Sequence, residues 1–225
     1  MRNITTIPIV LAAMLLAAGC IISDELTTIT IQPDGSAEWT RFQSNVRSTE
    51  QGAKAEQELQ KYATDFDTRQ DADLARIAES GGEILDARWV RHEKPFATLV
   101  TARFGTVDAL KNFFTVKGES DAIVARPEFT ANGNRRRLSI SIPIPADKAA
   151  ATEPGPTCEE LLARRADSIS ETRIVVANGH IVASQGFIVA RDGQSAVFNT
   201  RQLEELLRQH PAQIEIFLEW NVTGD

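Results

Sequence analysis

Asp65, Asp67, Asp71 and Asp73 form the densest group of carboxylates in the sequence, the kind of oxygen cluster from which a calcium loop is built. The register does not fit. Counted from Asp65, an EF-hand loop needs an oxygen ligand where Arg69 stands, glycine where Gln70 stands and glutamate where Arg76 stands. The acids are expected instead to pair with Arg69 and Arg76 along a solvated helix face. His92, His180 and His210 lie far apart, with neither the His-Glu-x-x-His spacing nor a paired cysteine that would mark a zinc site, so no metal and no other cofactor is expected. No Gly-x-Ser-x-Gly elbow, P-loop or Gly-x-Gly-x-x-Gly run is present, and no catalytic residue is assigned; the reading is that of a protein that is not an enzyme. Arg135-Arg136-Arg137 is the one dense basic run. Its ordinary reading is a solvated hairpin end, and its functional reading is a contact with an acidic partner or a lipid head group, because guanidinium offers paired donors to phosphate. Thr157-Cys158-Glu159-Glu160 has the pattern of a capping box opening a helix with Leu161 and Leu162, where Cys158 is expected to be buried, the alternative being a bond between chains.

The amino-terminal segment carries a different kind of chemistry. One basic residue, Arg2, precedes an apolar run from about Ile7, which closes on small residues before a cysteine in Leu16-Ala17-Ala18-Gly19-Cys20. That is the layout of a secretory signal, and the run is shorter than the ~20 apolar residues that span a bilayer. The segment resembles the lipobox of bacterial lipoproteins, with Ala18 and Gly19 matching the small residues before the cysteine and Leu16 one place further back than the usual leucine. The resemblance implies that residues 1–19 are a signal peptide, that the Cys20 thiol takes a diacylglyceryl group, and that the new amino terminus is acylated, typically by palmitate. It also implies a cell-envelope location. Ile21 follows the cysteine where an aspartate retains many lipoproteins in the inner membrane, so the outer membrane, facing the periplasm, is the expected site and the outer face of the inner membrane the alternative. Two acyl chains anchor stably without a further membrane segment.

Loss of residues 1–19 removes Arg2, which makes the formal net charge of −7 more negative by one unit. An acidic domain is a poor match for nucleic acid, whose backbone needs clustered Lys and Arg, and no nucleic-acid partner is expected. The same charge argues against electrostatic docking on anionic lipid, leaving the acyl chains on Cys20 to hold the membrane.

The elements that must position these residues follow from periodicity. Glu25 to Gln32 reads as a strand, Pro33-Asp34-Gly35-Ser36 as a turn, and Ala37 towards Val46 as the return strand. This hairpin would begin only a few residues from the lipid and leave almost no flexible linker. From Glu50 to Glu79 the apolar residues Ala55, Leu59, Tyr62 and Phe66, then Leu74, Ile77 and Ala78, recur at helical spacing with a break near Gln70. One bent helix or two short ones fit, ended by Gly81-Gly82. Ile84 to Glu93 and Phe96 to Phe104 form a hairpin about Pro95, and Thr106 caps a short helix with Leu110, Phe113 and Phe114. Asn132-Gly133 turns a second hairpin, from Ala122 to Thr130 and back through Leu138 to Ile144. Strands are expected around Ile174 to Val176 and Phe187 to Val189, a helix over Asn199 to His210, and a last strand through Ile214, Ile216, Leu218, Trp220 and Val222. Trp39, Trp89 and Trp220 fall in strands, as core residues or as the lining of an apolar groove.

The expected fold is α+β, a mainly antiparallel sheet built from hairpins with three to four packed helices. Residues 20–146 would form the anchored domain or first half, the Ala- and Pro-rich stretch 147–156 a linker, and 157–225 a second half packed on the first. Cys20 followed closely by Asp-x-Leu-Thr-Thr-Ile-Thr-Ile-Gln-Pro-Asp-Gly-Ser resembles the opening of uncharacterised bacterial lipoproteins of the LppM type. That resemblance supplies no catalytic residues. The expected role is a non-enzymatic binding or assembly function at the periplasmic membrane surface, with an envelope protein or a lipid as partner. The alternative is a carrier of lipid or of another small apolar ligand, held in a cavity between the sheet and the Leu59-Tyr62-Phe66 helix.

Overall fold

In a computed structural model of the chain, residues 21–117, 123–143, 168–207 and 213–223 are described. Residues 1–19, expected to be a signal peptide, and Cys20, the 147–156 stretch, Cys158 with its capping pattern, and His210 lie outside them.

Two mostly antiparallel sheets and a set of short helices make up the mixed α+β fold. The chain opens with β1 (Ile21–Ile31) and β2 (Ala37–Ser48), joined by the Asp34-Gly35 turn. Asp34 accepts from the Ser36 amide (2.9 Å) and hydroxyl (2.8 Å). Gly35 sits at φ 87°, and a Cβ there would come within 2.6 Å of Val107, so the turn needs glycine both for its conformation and for its contact with the helix beneath. Next come α1 (Gly52–Asp67) and α2 (Ala72–Glu79), two helices instead of one bent one. Arg69 takes a left-handed φ of 61° after α1, and Asp71 caps α2 by accepting from the amides of Asp73 (3.0 Å) and Leu74 (3.3 Å).

β3 (Glu83–Arg91) and β4 (Phe96–Phe104) form the next hairpin. Thr106 caps α3 (Val107–Phe114), its hydroxyl accepting from the Ala109 amide at 3.1 Å. After the two-residue β5 (Val116–Lys117), β6 (Ile123–Asn132) and β7 (Arg135–Pro143) pair about the Asn132-Gly133 turn. The remaining elements are β8 (Ser170–Val176), β9 (Gly179–Gln185), β10 (Ile188–Val189), β11 (Ser195–Asn199), α4 (Thr200–Leu207) and β12 (Gln213–Val222).

The larger sheet has the order β10-β11-β8-β1-β2-β4-β3, and the smaller β5-β6-β7-β12-β9. Hairpins alone do not build this arrangement. β1 lies parallel to β8, with Ile29 opposite Ile174, a pairing that demands a long crossover instead of a tight turn. Strands from before and after residue 150 share both sheets, β8 beside β1 in one and β12 between β7 and β9 in the other. β9 and β11 were not expected from the sequence; Gly179 and the Gln185-Gly186 break obscure the alternation of the first, and the second is only five residues long.

The main core lies between the sheets and under the helices. Ile29, Ile31, Ile174 and Val176 of the larger sheet meet Leu138, Ile181, Leu218 and Trp220 of the smaller one. Alongside, Trp39, Val100, Ala102 and Phe104 meet Leu74, Ile77, Leu110 and Phe113 of α2 and α3. Trp39 and Phe113 make an edge-to-face pair 5.2 Å between ring centres. The opposite face of the larger sheet carries no helix and no second sheet among the described residues.

Candidate functional site

The site is built around α2. Along β2, Ala37, Trp39 and Arg41 alternate inward, so Arg41 enters the interior with its side chain only 4% exposed. Its guanidinium faces Asp71 (3.5 Å) and pairs closely with Asp73, while Arg76 donates to the other oxygen of Asp73 at 2.6 Å. Arg76 also lies over the Phe113 ring, 4.6 Å from its centre, and Arg41 over Trp39 at 5.8 Å. Burial, and then the neighbouring Arg41, lower the Arg76 guanidinium to about 10, so Arg76 remains charged at neutral pH. Beside them Tyr62 donates to Gln43 at 3.2 Å; burial raises its hydroxyl above the ordinary value, keeping it a neutral donor. The cluster fixes α2 in rotation and height on the sheet.

The other flank of α2 is open. Between α2 and β3 runs a groove of about 540 Å³ lined by Leu74, Ala75, Ala78, Ile84, Leu85 and Ala87, with Arg69 and Asp86 as its polar groups. Two alanines on α2 keep the walls apart. Among the described residues β3 is the last strand of the larger sheet, and one row of its backbone amides and carbonyls has no strand partner there. Shifts in its pairing at Ile84/Asp86 and Trp89/Arg91 bend the edge and turn Leu85, which is exposed, towards the groove. An apolar trough beside a free strand edge can take an extended peptide, by backbone pairing for affinity and side-chain burial for selectivity.

The residues singled out in the sequence are placed differently. Asp71 and Asp73 do not line a solvated face with Arg69; they turn inward to Arg41 and Arg76, because the inward register of β2 brings a buried cation beneath them. Asp67 instead accepts from the Trp89 indole nitrogen at 2.7 Å, and Asp65 pairs with Lys61 one helical turn away. His92 lies against Trp89, and His180 is an exposed side chain beside Gly193. Trp39 and Trp220 are core residues and Trp89 is half-buried.

Arg135, Arg136 and Arg137 begin β7. Arg135 pairs with Glu219 of the neighbouring β12, and Arg137 reaches both Glu215 (3.4 Å) and Glu219 (3.6 Å) while covering the Phe217 ring at 3.8 Å. Arg136 donates to the backbone carbonyls of Gly133 and, at 3.2 Å, Arg135. Glu219 is buried, so two of the three guanidiniums have a structural task in neutralising it.

Arg41 and the groove were both missed in the sequence. The signal for Arg41 was present, two residues after inward-facing Trp39. The groove depends on how far α2 stands from β3, which no local pattern reports. Between the sheets, an apolar space bounded by Ile29, Leu138, Ile174, Phe198 and Ile216 holds only about 20 Å³, room for one water-sized group and not for an acyl chain. Beneath α1, Leu59, Ala63 and Phe66 are buried, the first two packed with Val46 and Phe96, where the carrier reading needs a cavity.

No protein-family model matches the sequence, and no curated protein matches it. Among solved structures, the NMR structure of the folded domain of the Mycobacterium tuberculosis LppM protein is similar at 11% identity and a TM-score of 0.43, over 90% of this chain and 91% of that one. No described helix is long and apolar enough to cross a membrane.

Proposed function

We propose that the chain is a lipid-anchored protein of the bacterial envelope, attached through Cys20, that acts by binding and not by catalysis. Its groove between α2 and β3 takes an extended segment of an envelope protein. The observation that carries the reading is the start of β1 at Ile21, one peptide bond after the cysteine of the lipobox. A body attached without a linker meets only membrane components and their neighbours. The free edge of β3 and the apolar trough beside it support the choice of an extended polypeptide as ligand. The small space between the sheets weighs against a carried lipid. Ile21 in place of aspartate favours the outer membrane, facing the periplasm.

Three measurements on the full chain expressed in a bacterium test this. Labelled palmitate is expected to enter the wild type and not Cys20→Ser, and density fractionation to place the wild type with outer-membrane markers. A benzophenone amino acid at position 85 is expected to crosslink one discrete envelope protein in living cells, and Ala75→Trp, which fills the groove, to abolish that adduct. Label in Cys20→Ser would sink the anchor. An adduct that survives Ala75→Trp, or none at position 85, would sink the groove.

A further inference from the structure

The face of the larger sheet that no described element covers is not uniform along its length. Cross-strand register divides its residues into rows. Furthest from Ile21, Thr30, Glu38 and Arg103 lie side by side; next come Thr28, Thr40 and Thr101, the last two hydroxyls 3.3 Å apart. Nearer the start of β1 the row becomes apolar: Leu26 opposite Phe42, and Phe42 opposite Leu99. The row ends at Glu171 on β8 and Arg88 on β3, and Ile169 and Val90 stand beyond those ends, nearer the start of β1. Ile169 precedes β8 and is tied to β1 by its amide, which donates to Asp24 at 2.9 Å, and by its carbonyl, which accepts from the Glu25 amide at 2.7 Å. Ile169 is 71% exposed, Val90 55% and Leu26 43%. Charge, then threonine, then an apolar row flanked by Glu171 and Arg88 is the order met towards the start of β1, with Asp24, bonded by Asn45 at 3.0 Å, beyond that row.

Geometry says what covers this band. A strand rises about 3.3 Å per residue, so Leu26 lies within about 17 Å of Ile21, and an acylated Cys20 would fix Ile21 at the bilayer surface. In the anchored chain the Cys20–Ile21 bond would serve as the joint, because Ile21 is already paired with Ser48 in the sheet. Tilting about that joint towards the uncovered face lays Ile169, Leu26 and Val90 on the membrane and keeps the Thr30 row in water. At the β3 side stand the exposed Arg88, paired with Asp86 at 3.2 Å, and Arg91, which donates to the Pro95 carbonyl; at the β8 side, Glu171 is paired with Arg173 at 3.5 Å. The opposite tilt buries no comparable band, because the inner face is covered by helices and the second sheet.

We infer that the uncovered face of the larger sheet, at the end where β1 begins, rests on the bilayer, with Ile169, Leu26 and Val90 at the boundary between head groups and acyl chains. The inference rests on the anchor proposed for Cys20. It fixes orientation: lipid contact is made by sheet residues as well as by acyl chains, and the α2–β3 groove, on the other side of the sheet, is left facing the periplasm.

The test uses the full lipidated chain in vesicles of phosphatidylethanolamine and phosphatidylglycerol whose acyl chains carry bromine, which quenches nearby tryptophan. Single variants Ile169→Trp, Leu26→Trp and Val90→Trp are compared with Thr30→Trp, on the same face but further from Ile21, and with Val182→Trp, an exposed apolar position on β9 of the other sheet. Melting curves confirm that each variant is folded. The added tryptophans at 169, 26 and 90 are expected to lose at least twice as much fluorescence as those at 30 and 182. Equal quenching at all five positions, or none, in protein that sediments with the vesicles overturns the docked orientation and leaves the anchor standing. Protein that does not sediment overturns both.

Discussion

Arg41 is a cation without water, and its stability effect depends on what remains when it is removed. Its neighbours Asp71 and Asp73 are mostly buried, and among the described residues Nε of Arg41 and Nε of Arg76 meet no acceptor, so the cluster is electrostatically matched but incompletely hydrogen-bonded. Such a cluster contributes little net stability compared with a well-packed apolar one, yet breaking it on one side is costly. Arg41→Met is therefore expected to lower the free energy of unfolding by about 3–5 kcal/mol, because it leaves two carboxylates facing a single guanidinium. Asp73→Asn added to that variant should recover part of the loss by removing the excess negative charge. Urea denaturation of the three proteins checks both statements, and a double variant no more stable than Arg41→Met would mean that Arg41 acts through packing alone. The sequence disclosed the acids but not their partner. Arg69 and Arg76 were the near cations in sequence, whereas Arg41 arrives from a strand thirty residues earlier through sheet register, a relation visible only once Trp39 is known to face inward.

The two exposed turns that close β1–β2 and β10–β11 use the same device, an aspartate accepting from its own loop. Asp34 is bonded by Ser36, and Asp192 by the amides of Gln194 (2.8 Å) and Ser195 (3.1 Å). These bonds favour the charged carboxylate and hold both groups below their ordinary value of 3.8. On acidification the unfolded chain takes up protons at these two positions before the folded one does. Their stabilising effect is therefore complete above about pH 5 and is lost as pH falls through the lowered folded values. Melting temperature is expected to fall as pH drops below about 5, and Asp34→Asn with Asp192→Asn to flatten that fall while starting lower at pH 7. An unchanged slope in the double variant would assign the acid sensitivity elsewhere. Elements of this kind were the legible part of the chain. Turn residues, the Thr106 cap, the break between α1 and α2 and the clean alternation of β12 are local, and they stand in the structure close to where periodicity put them. The β1–β8 pairing is not local. Nothing in the strand residues distinguishes a parallel partner from an antiparallel one, and the short β10 and β11 are held by neighbours more than by their own pattern.

At the scale of the whole molecule, the order of strands makes the last one a keystone. β12 lies between β7 and β9, hydrogen-bonded on both sides, and its inward residues Ile214, Ile216, Leu218 and Trp220 are all buried. Leu218 and Trp220 face the main core together with Ile29, Ile31 and Val176 of the larger sheet; Ile214 and Ile216 meet Phe198 and Leu203 of β11 and α4. One terminal strand thus closes contacts made by elements from both ends of the chain. Burying a large apolar side chain contributes about 1.5–3 kcal/mol, so four of them amount to roughly the whole stability of an ordinary domain of 5–15 kcal/mol. The loss is not confined to β12. Its removal exposes Leu138 and Ile140 on β7 and leaves β9 with no strand partner in its sheet. A chain ending at residue 212 is therefore expected to lack a cooperative thermal transition and to be digested throughout by a low concentration of protease, the larger sheet included. Survival of a protease-resistant core spanning β1 to β4 with α1 to α3 would show that the sheet under the helices folds independently, and the α2–β3 groove could then be studied without the rest of the molecule.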